Sequence, residues 1–342
     1  MSVDVTLADE GDLEKWNDYV GRAHNATPFH RLEALEVVAA HSGAKLHPLI
    51  GRKGQEPVGL FPLFELSRGP ATVAFSPPPD LRVSYLGPAL LNMGKLKRRK
   101  AERRLRSFVD GCFAWLREQV TPWYLHVRTD HRYEDVRPFK WNDCTVTPNY
   151  TYLIPLESDE SDLLARFSSD ARRNVRDSSG GSNADRDFEV AEGGGADVER
   201  ILDQVRGRYE SQGIPFHLAN GFVRDLYTRL PDGIVRPYVC RVDGEFVGGI
   251  LALEDDDTVY RWQGGVRTNL DVDVPVNDLL DWHVMTDARK RGVGSYDLVG
   301  ADTPRINRYK AKFGPELATF YSVEGGSPPA RFAASLYQRV RK

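Results

Sequence analysis

The sequence predicts an α/β (α+β) protein of two tandem domains, each a mixed, mostly antiparallel sheet flanked by helices. Three observations lead there. The 342-residue chain is 41% apolar and 28% charged, long enough to bury a core in each of two ordinary domains. It also repeats itself. Thr27-Pro28-Phe29-His30-Arg31-Leu32 recurs as Ile214-Pro215-Phe216-His217-Leu218, and the stretch from His47-Pro48 to Leu60 resembles that from Arg236-Pro237 to Gly249, in the same order at nearly the same spacing. Finally, both copies read alike: a helix, the Pro-Phe-His turn, a second helix, then two apolar strands joined by a polar, Gly-containing turn.

In the first copy the periodicity predicts helices over 10–23 and 31–42, strands near 46–51, 57–66 and 81–86, a helix over 96–119 and a strand over 123–128. The second predicts helices over 196–211 and 219–230, strands near 236–242, 246–254 and 258–266, a helix over 276–291 and a strand over 295–299. Helices interleaved with an antiparallel sheet that turns parallel late form the GNAT pattern, here given twice. The expected domains are therefore 1–150 and 151–326, with a short C-terminal helix over 327–342 after Ser327-Pro328-Pro329. Within the second, 177–195 is rich in Ser, Gly and Asp and is expected to be flexible.

Cys112, Cys144 and Cys240 are odd in number and widely spaced, so they read as reduced packing residues rather than a disulfide framework or zinc site. The apolar runs fall short of a bilayer span, and the start lacks a basic region followed by an apolar stretch, so a cytoplasmic protein without a transmembrane segment is expected. A net charge of −3 hides a basic segment at 95–106, where Lys95, Lys97, Arg98, Arg99, Lys100, Arg103, Arg104 and Arg106 face a single Glu102. That segment is expected either to meet phosphate on a tRNA or an anionic lipid-linked substrate, or to be a solvated helix face; no DNA partner is expected. No metal-binding cluster, Walker loop, dinucleotide fingerprint or Gly-x-Ser-x-Gly elbow is present in the sequence.

Five segments carry a family resemblance. They are Phe167-Ser-Ser-Asp-Ala-Arg172-Arg173-Asn174, Tyr260-Arg-Trp262-Gln263-Gly-Gly265, Pro275-Val-Asn277-Asp-Leu-Leu-Asp-Trp282, Ser295-Tyr-Asp297-Leu-Val-Gly300 and Tyr309-Lys310-Ala-Lys312-Phe-Gly314. In this order they resemble the Fem peptidyltransferases, GNAT-like enzymes that move an amino acid from aminoacyl-tRNA onto an amine. The resemblance covers about half the chain; the first half matches in architecture. Two departures stand out: Asp177 opens a Ser/Gly-rich stretch where the family carries a basic helix, and the long helical hairpin of some members is missing.

Attack of an amine on an ester or thioester needs an uncharged nucleophile, stabilisation of the developing oxyanion, and grips on phosphate-bearing partners. The resemblance implies Lys310 as the cation at the transferred carbonyl or leaving group, with Lys312, two residues on in an extended segment, pointing the same way to another depth. Asp297, in an apolar strand, is expected as base or amine anchor, or as a buried structural hydrogen-bonding group. Arg172 and Arg173 are expected to clamp phosphate or carboxylate, or else to form a domain-junction salt bridge. Asn174, Gln263, Asn277 and Trp282 complete the implied substrate-binding set, together with Tyr260 and Trp262, which alternate on one strand and so share a face, either of a groove or of the core. His30 and His217 hold equivalent places in the repeat and are expected to serve a shared turn.

Arg289-Lys-Arg-Gly292-Val-Gly294 satisfies the Arg-x-x-Gly-x-Gly pyrophosphate signature of coenzyme A-dependent GNATs, but it follows a predicted helix instead of opening one, and its glycines read as helix stops. Val266–Pro275, where that loop belongs, has no glycine and two aspartates. The expected activity is thus amide formation on an amine of an envelope or lipid-linked precursor. The activated donor is aminoacyl-tRNA or another acyl donor, and no cofactor is tightly bound. The alternatives are an acetyl-CoA-dependent N-acetyltransferase acting on an amino sugar or small molecule, and a non-catalytic tandem module that binds RNA or glycolipid.

Overall fold

The computed structural model describes residues 3–69, 71–179, 187–266 and 274–332. The chain divides into two compact units, one formed by Met1–Asn149 with Thr319–Lys342 and the other by Tyr150–Ala318. The predicted C-terminal helix lies largely outside the described residues.

The first unit begins with β1 (Asp4–Leu7), α1 (Glu10–Glu14), α2 (Trp16–Arg22) and α3 (Leu32–Ser42). It continues through β2 (Lys45–Lys53), β3 (Glu56–Arg68), β4 (Ala71–Ser76) and β5 (Ala89–Leu90) to α4 (Arg98–Gln119), β6 (Tyr124–Arg128) and α5 (Arg137–Trp141). The predicted helix over 10–23 is two helices that meet at Lys15. Antiparallel pairing runs β1-β2-β3-β4, and β4 then pairs in parallel with β6. A cross-strand pair, Gly51 opposite Gly59, lets α4 lie close: a Cβ at either would come within 2.3 or 2.5 Å of the Phe108 ring. The predicted strand at 81–86 is not a strand. The strand after β3 is instead β4, Ala71–Ser76, ended by Pro77-Pro78-Pro79, which lack the amide donors a ladder needs. Residues 81–86 instead send Leu81, Val83, Tyr85 and Leu86 into the interior.

His30 does serve its turn. Fully buried, its Nδ1 accepts from the Thr27 amide at 3.0 Å, which leaves Nε2–H to donate to the Gly87 carbonyl at 3.1 Å. Burial pushes its pKa down to about 4. His217 is exposed in an irregular segment, so the two histidines share a place in the chain and not a role.

The second unit contains β7 (Thr145–Pro155, from Tyr150 onward), α6 (Glu160–Ala165), α7 (Ser169–Ser179), β8 (Phe188–Glu192), α8 (Gly195–Ser211) and α9 (Asn220–Arg229). After these come β9 (Val235–Val242), β10 (Glu245–Glu254), β11 (Thr258–Val266), α10 (Val276–Lys290), β12 (Ser295–Asp297) and α11 (Pro304–Lys310). The last strand, β13 (Glu316–Gly326), leads back into the first unit, where Ser322–Gly326 pair with β6. Thus residues 319–326, expected with the second domain, belong to the first unit.

In the second unit the strand order is β7-β12-β11-β10-β9-β8, with β11 and β12 parallel. The β9–β10 hairpin turns on Asp243-Gly244, both left-handed (φ 52° and 80°), as a type I′ turn requires. The segment 177–195, expected to be flexible, is structured at both ends, since α7 runs to Ser179 and 188–192 pair with β9; 180–186 lie outside the described residues. Helices α7 and α10 cover one sheet face through Ala171, Val175, Leu280 and Val284, joined by Phe167 just ahead of α7, while α8 and α9 take the other.

Candidate active site

Helix α10 carries two acids three residues apart, Asp278 and Asp281, on its buried side. A buried carboxylate must find donors, and each of these organises part of the unit. Asp281, fully buried, accepts from Arg261 Nε at 2.8 Å, Tyr296 OH at 2.5 Å and Tyr309 OH at 2.6 Å. It thereby ties α10 to β11, to β12 and to α11. Burial and the Asp281 carboxylate push both phenols well above their usual range, so they remain donors. Asp278 accepts from Asn174 Nδ2 at 2.8 Å and from the Lys312 ammonium, holding α7 against the 310–313 segment. There the Phe167 ring meets Trp282 at 5.6 Å and Phe313 at 5.1 Å, edge to face.

The end of β12 is a tight turn. Val299 and Gly300 are both left-handed, at φ 53° and 88°, a conformation that strains a β-branched residue. Asp297 Oδ1 accepts from the Val299 amide at 2.7 Å and from Thr151 Oγ1 at 2.5 Å, and Thr151 Oγ1 accepts from the Gly300 amide at 2.9 Å. The carbonyls of this turn receive Lys310, whose Nζ donates to Val299 O at 2.9 Å and Gly300 O at 2.7 Å. Lys310 is 8% exposed, and burial, with the charge of Arg261, lowers its pKa to about 8. An ammonium has three N–H donors, and one lies beyond these two bonds.

The structure therefore joins Lys310 to Asp297 through a turn and Asn174 to Lys312 through Asp278, while Trp282 packs on Phe167. Of the other expected residues, some take the second of the two readings open to them and others sit differently. Asp297 has no exposed surface and spends Oδ1 on the turn, which favours its reading as a buried structural hydrogen-bonding group over that of base or amine anchor. Lys312 lies in a one-turn 3₁₀ segment, not an extended one, and turns to Asp278 and the Tyr309 ring face, 4.4 Å away, so it is no copy of Lys310. Tyr260 and Trp262 are buried, the first donating to Asp255 and the second packed edge-on against Phe222 of α9. The β10–β11 register shifts between Leu251 and Ala252, which face Gln263 and Arg261, so strict alternation fails at Trp262. Gln263 is buried, Asn277 is half-buried in the first turn of α10, Arg172 is half-buried and Arg173 exposed on α7.

Arg261, Asp281, Tyr296, Tyr309, Asp278 and Thr151 received no role from the sequence. The two acids were the available signal, each next to leucines in Asp278-Leu279-Leu280-Asp281; nothing marked Thr151. The Arg289–Gly294 motif is a helix stop, as its position implied: Gly292 is left-handed at φ 87°, its amide bonds Arg289 O, and the Val293 amide bonds Ala288 O.

In the first unit, much of the basic segment is answered locally. Arg104 pairs with Glu56 at 3.0 Å, Arg98 with Glu102 at 3.1 Å and Arg106 with Asp110 at 3.4 Å, while Lys95, Lys97, Arg99, Lys100 and Arg103 are exposed. No helix among the described residues is long and apolar enough to cross a membrane.

Residues 166–311 match the acetyltransferase (GNAT) domain family, a stretch that holds Asp278, Asp281, Asp297 and Lys310 but neither Thr151 nor Lys312, and the chain is an acyltransferase. Solved structures extend the likeness to the full length. FemX matches with a TM-score of 0.74 at 11% identity, over 99% of this chain and 100% of its own. L-PGS from Bacillus licheniformis matches at 0.53 and 10% identity, over 95% of each chain. A tandem GNAT protein from the clavulanic acid biosynthesis pathway matches at 0.52 and 13% identity, over 95% of this chain and 99% of its own. In fold the chain is a Fem-like tandem GNAT protein. No curated protein matches it in sequence.

Proposed function

We propose that the protein is a cytoplasmic aminoacyl or acyl transferase that forms an amide on an amine of an envelope or lipid-linked precursor, with an aminoacyl-tRNA or a similarly activated ester as donor. The observation that carries this reading is Lys310. It is a buried ammonium with two N–H groups spent on backbone carbonyls and a third to offer, set inside the domain that matches the GNAT family. A pKa near 8 leaves it mainly charged at neutral pH, so it can stabilise the oxyanion that develops when the amine attacks, and the alkoxide that leaves. Arg172 and Arg173 on α7 supply the phosphate or carboxylate grip, with Asn174 holding that helix to Asp278.

Replacing Lys310 by Ala is expected to lower turnover by about 10²–10³-fold, the usual cost of one lost oxyanion donor, with a much smaller change in substrate binding. Normal turnover in that variant would remove Lys310 from the mechanism. A second reading, transfer from an acyl-coenzyme A, is favoured by the match to an acetyltransferase family. Extraction of the purified protein separates the two: bound tRNA supports the first, bound coenzyme A the second.

A further inference from the structure

Lys310 reaches its place only because two carbonyls of consecutive residues point at one spot, and they do so only while Val299 and Gly300 are both left-handed. For Val299 that conformation is unfavourable and persists only where its surroundings over-determine it. The surroundings here are two side chains. Thr151 Oγ1 donates to Asp297 and accepts from the Gly300 amide, while Asp297 accepts from the Val299 amide, so each turn amide is held by one of them. Both side chains are fully buried, and neither can touch a substrate.

We infer that Thr151 and Asp297 are positioning residues which, through the Val299-Gly300 turn, fix the direction of the Lys310 ammonium and keep it protonated. Thr151 works through geometry, because without its hydroxyl the Gly300 amide and Asp297 lose their shared partner and the carbonyls are released from Nζ. Asp297 works through geometry and charge. The charged groups around Lys310 are Arg261, which opposes its proton, and Asp297, Asp281 and Asp302, which favour it. The buried phenols of Tyr296 and Tyr309 stay neutral.

The inference deepens the role given to Lys310 above, so its test reads Lys310 directly in the free protein, without substrate. In protein labelled with ¹⁵N-lysine, the Lys310 side-chain resonance is assigned by its loss in Lys310→Arg and followed from pH 6 to 11. In Thr151→Val and in Asp297→Asn the midpoint should fall by roughly one pH unit, while Thr151→Ser, which keeps the hydroxyl, should titrate like the wild type. Turnover in Thr151→Val should drop about 10–100-fold, with the alkaline limb of the pH profile displaced in the same direction as the resonance. A Lys310 midpoint that stays put in folded Thr151→Val and Asp297→Asn overturns the inference, whatever happens to activity. So does a shift in Thr151→Ser as large as in Thr151→Val. If the midpoints move as expected but Lys310→Ala turns over normally, the positioning holds and the proposed catalytic role fails. Should Thr151→Val not fold, Asp297→Asn, which keeps an acceptor for the Val299 amide, decides alone.

Discussion

Replacing Lys310 by Met keeps a stem of similar bulk and removes the charge, which makes the energetic cost of burying the ammonium measurable without any substrate. In the unfolded chain a lysine titrates near 10.5, whereas in the folded protein burial brings Lys310 down to about 8. Below about pH 8 the group is charged in both states and the dependence is flat. Between about 8 and 10.5 the unfolded chain holds a proton that the folded one has released, so folding gains stability as pH rises; above 10.5 both are neutral. The span corresponds to about 3 kcal/mol. The stability difference between wild type and Lys310→Met should therefore grow in favour of wild type by about 3 kcal/mol from pH 7 to 11. Urea unfolding followed by tryptophan fluorescence at each pH measures it, since the tyrosine and cysteine titrations common to both proteins cancel in the difference. A flat difference across that range would mean that Lys310 titrates as an exposed lysine and would refute the reasoning that burial tunes it.

Asp281→Asn should destabilise the protein by about 3–5 kcal/mol, because it leaves the Arg261 guanidinium buried without its counter-charge; a thermal midpoint unchanged within a degree would contradict this. Gly59→Ala should cost about 1–3 kcal/mol in denaturant unfolding, since its Cβ would fall 2.5 Å from the Phe108 ring, a buried side chain with little room to yield. Reversing Lys97, Arg98, Arg99 and Lys100 to Glu should weaken binding to tRNA or to vesicles of anionic lipid and flatten its salt dependence. Identical binding curves across salt would assign those exposed charges to solubility.

The local grammar of the chain was legible because it depends on neighbours. Hydrophobic period placed the helices and most strands; the 258–266 strand and the start of the 276–290 helix are where the pattern put them. Gly292 was readable as a helix stop from its position alone. Errors arose where local and global demands part. A Ser/Gly-rich composition concealed β8, which forms because β9 offers it an edge; the 81–86 run is apolar because it is interior, not because it is a strand; and the shifted register at Trp262 broke an alternation that β11 by itself satisfied.

What the sequence determined by itself was the kind of protein, a tandem α/β acyltransferase, with Lys310 as the cation to be expected. What only the tertiary structure decided was how that lysine is held. Thr151 and Asp297 are 146 residues apart, and Asn174 and Asp278 are 104 apart. No periodicity links such pairs. They meet because β7 lies beside β12 and α7 against α10, where a buried polar group excluded from water must take the partner that the packing brings.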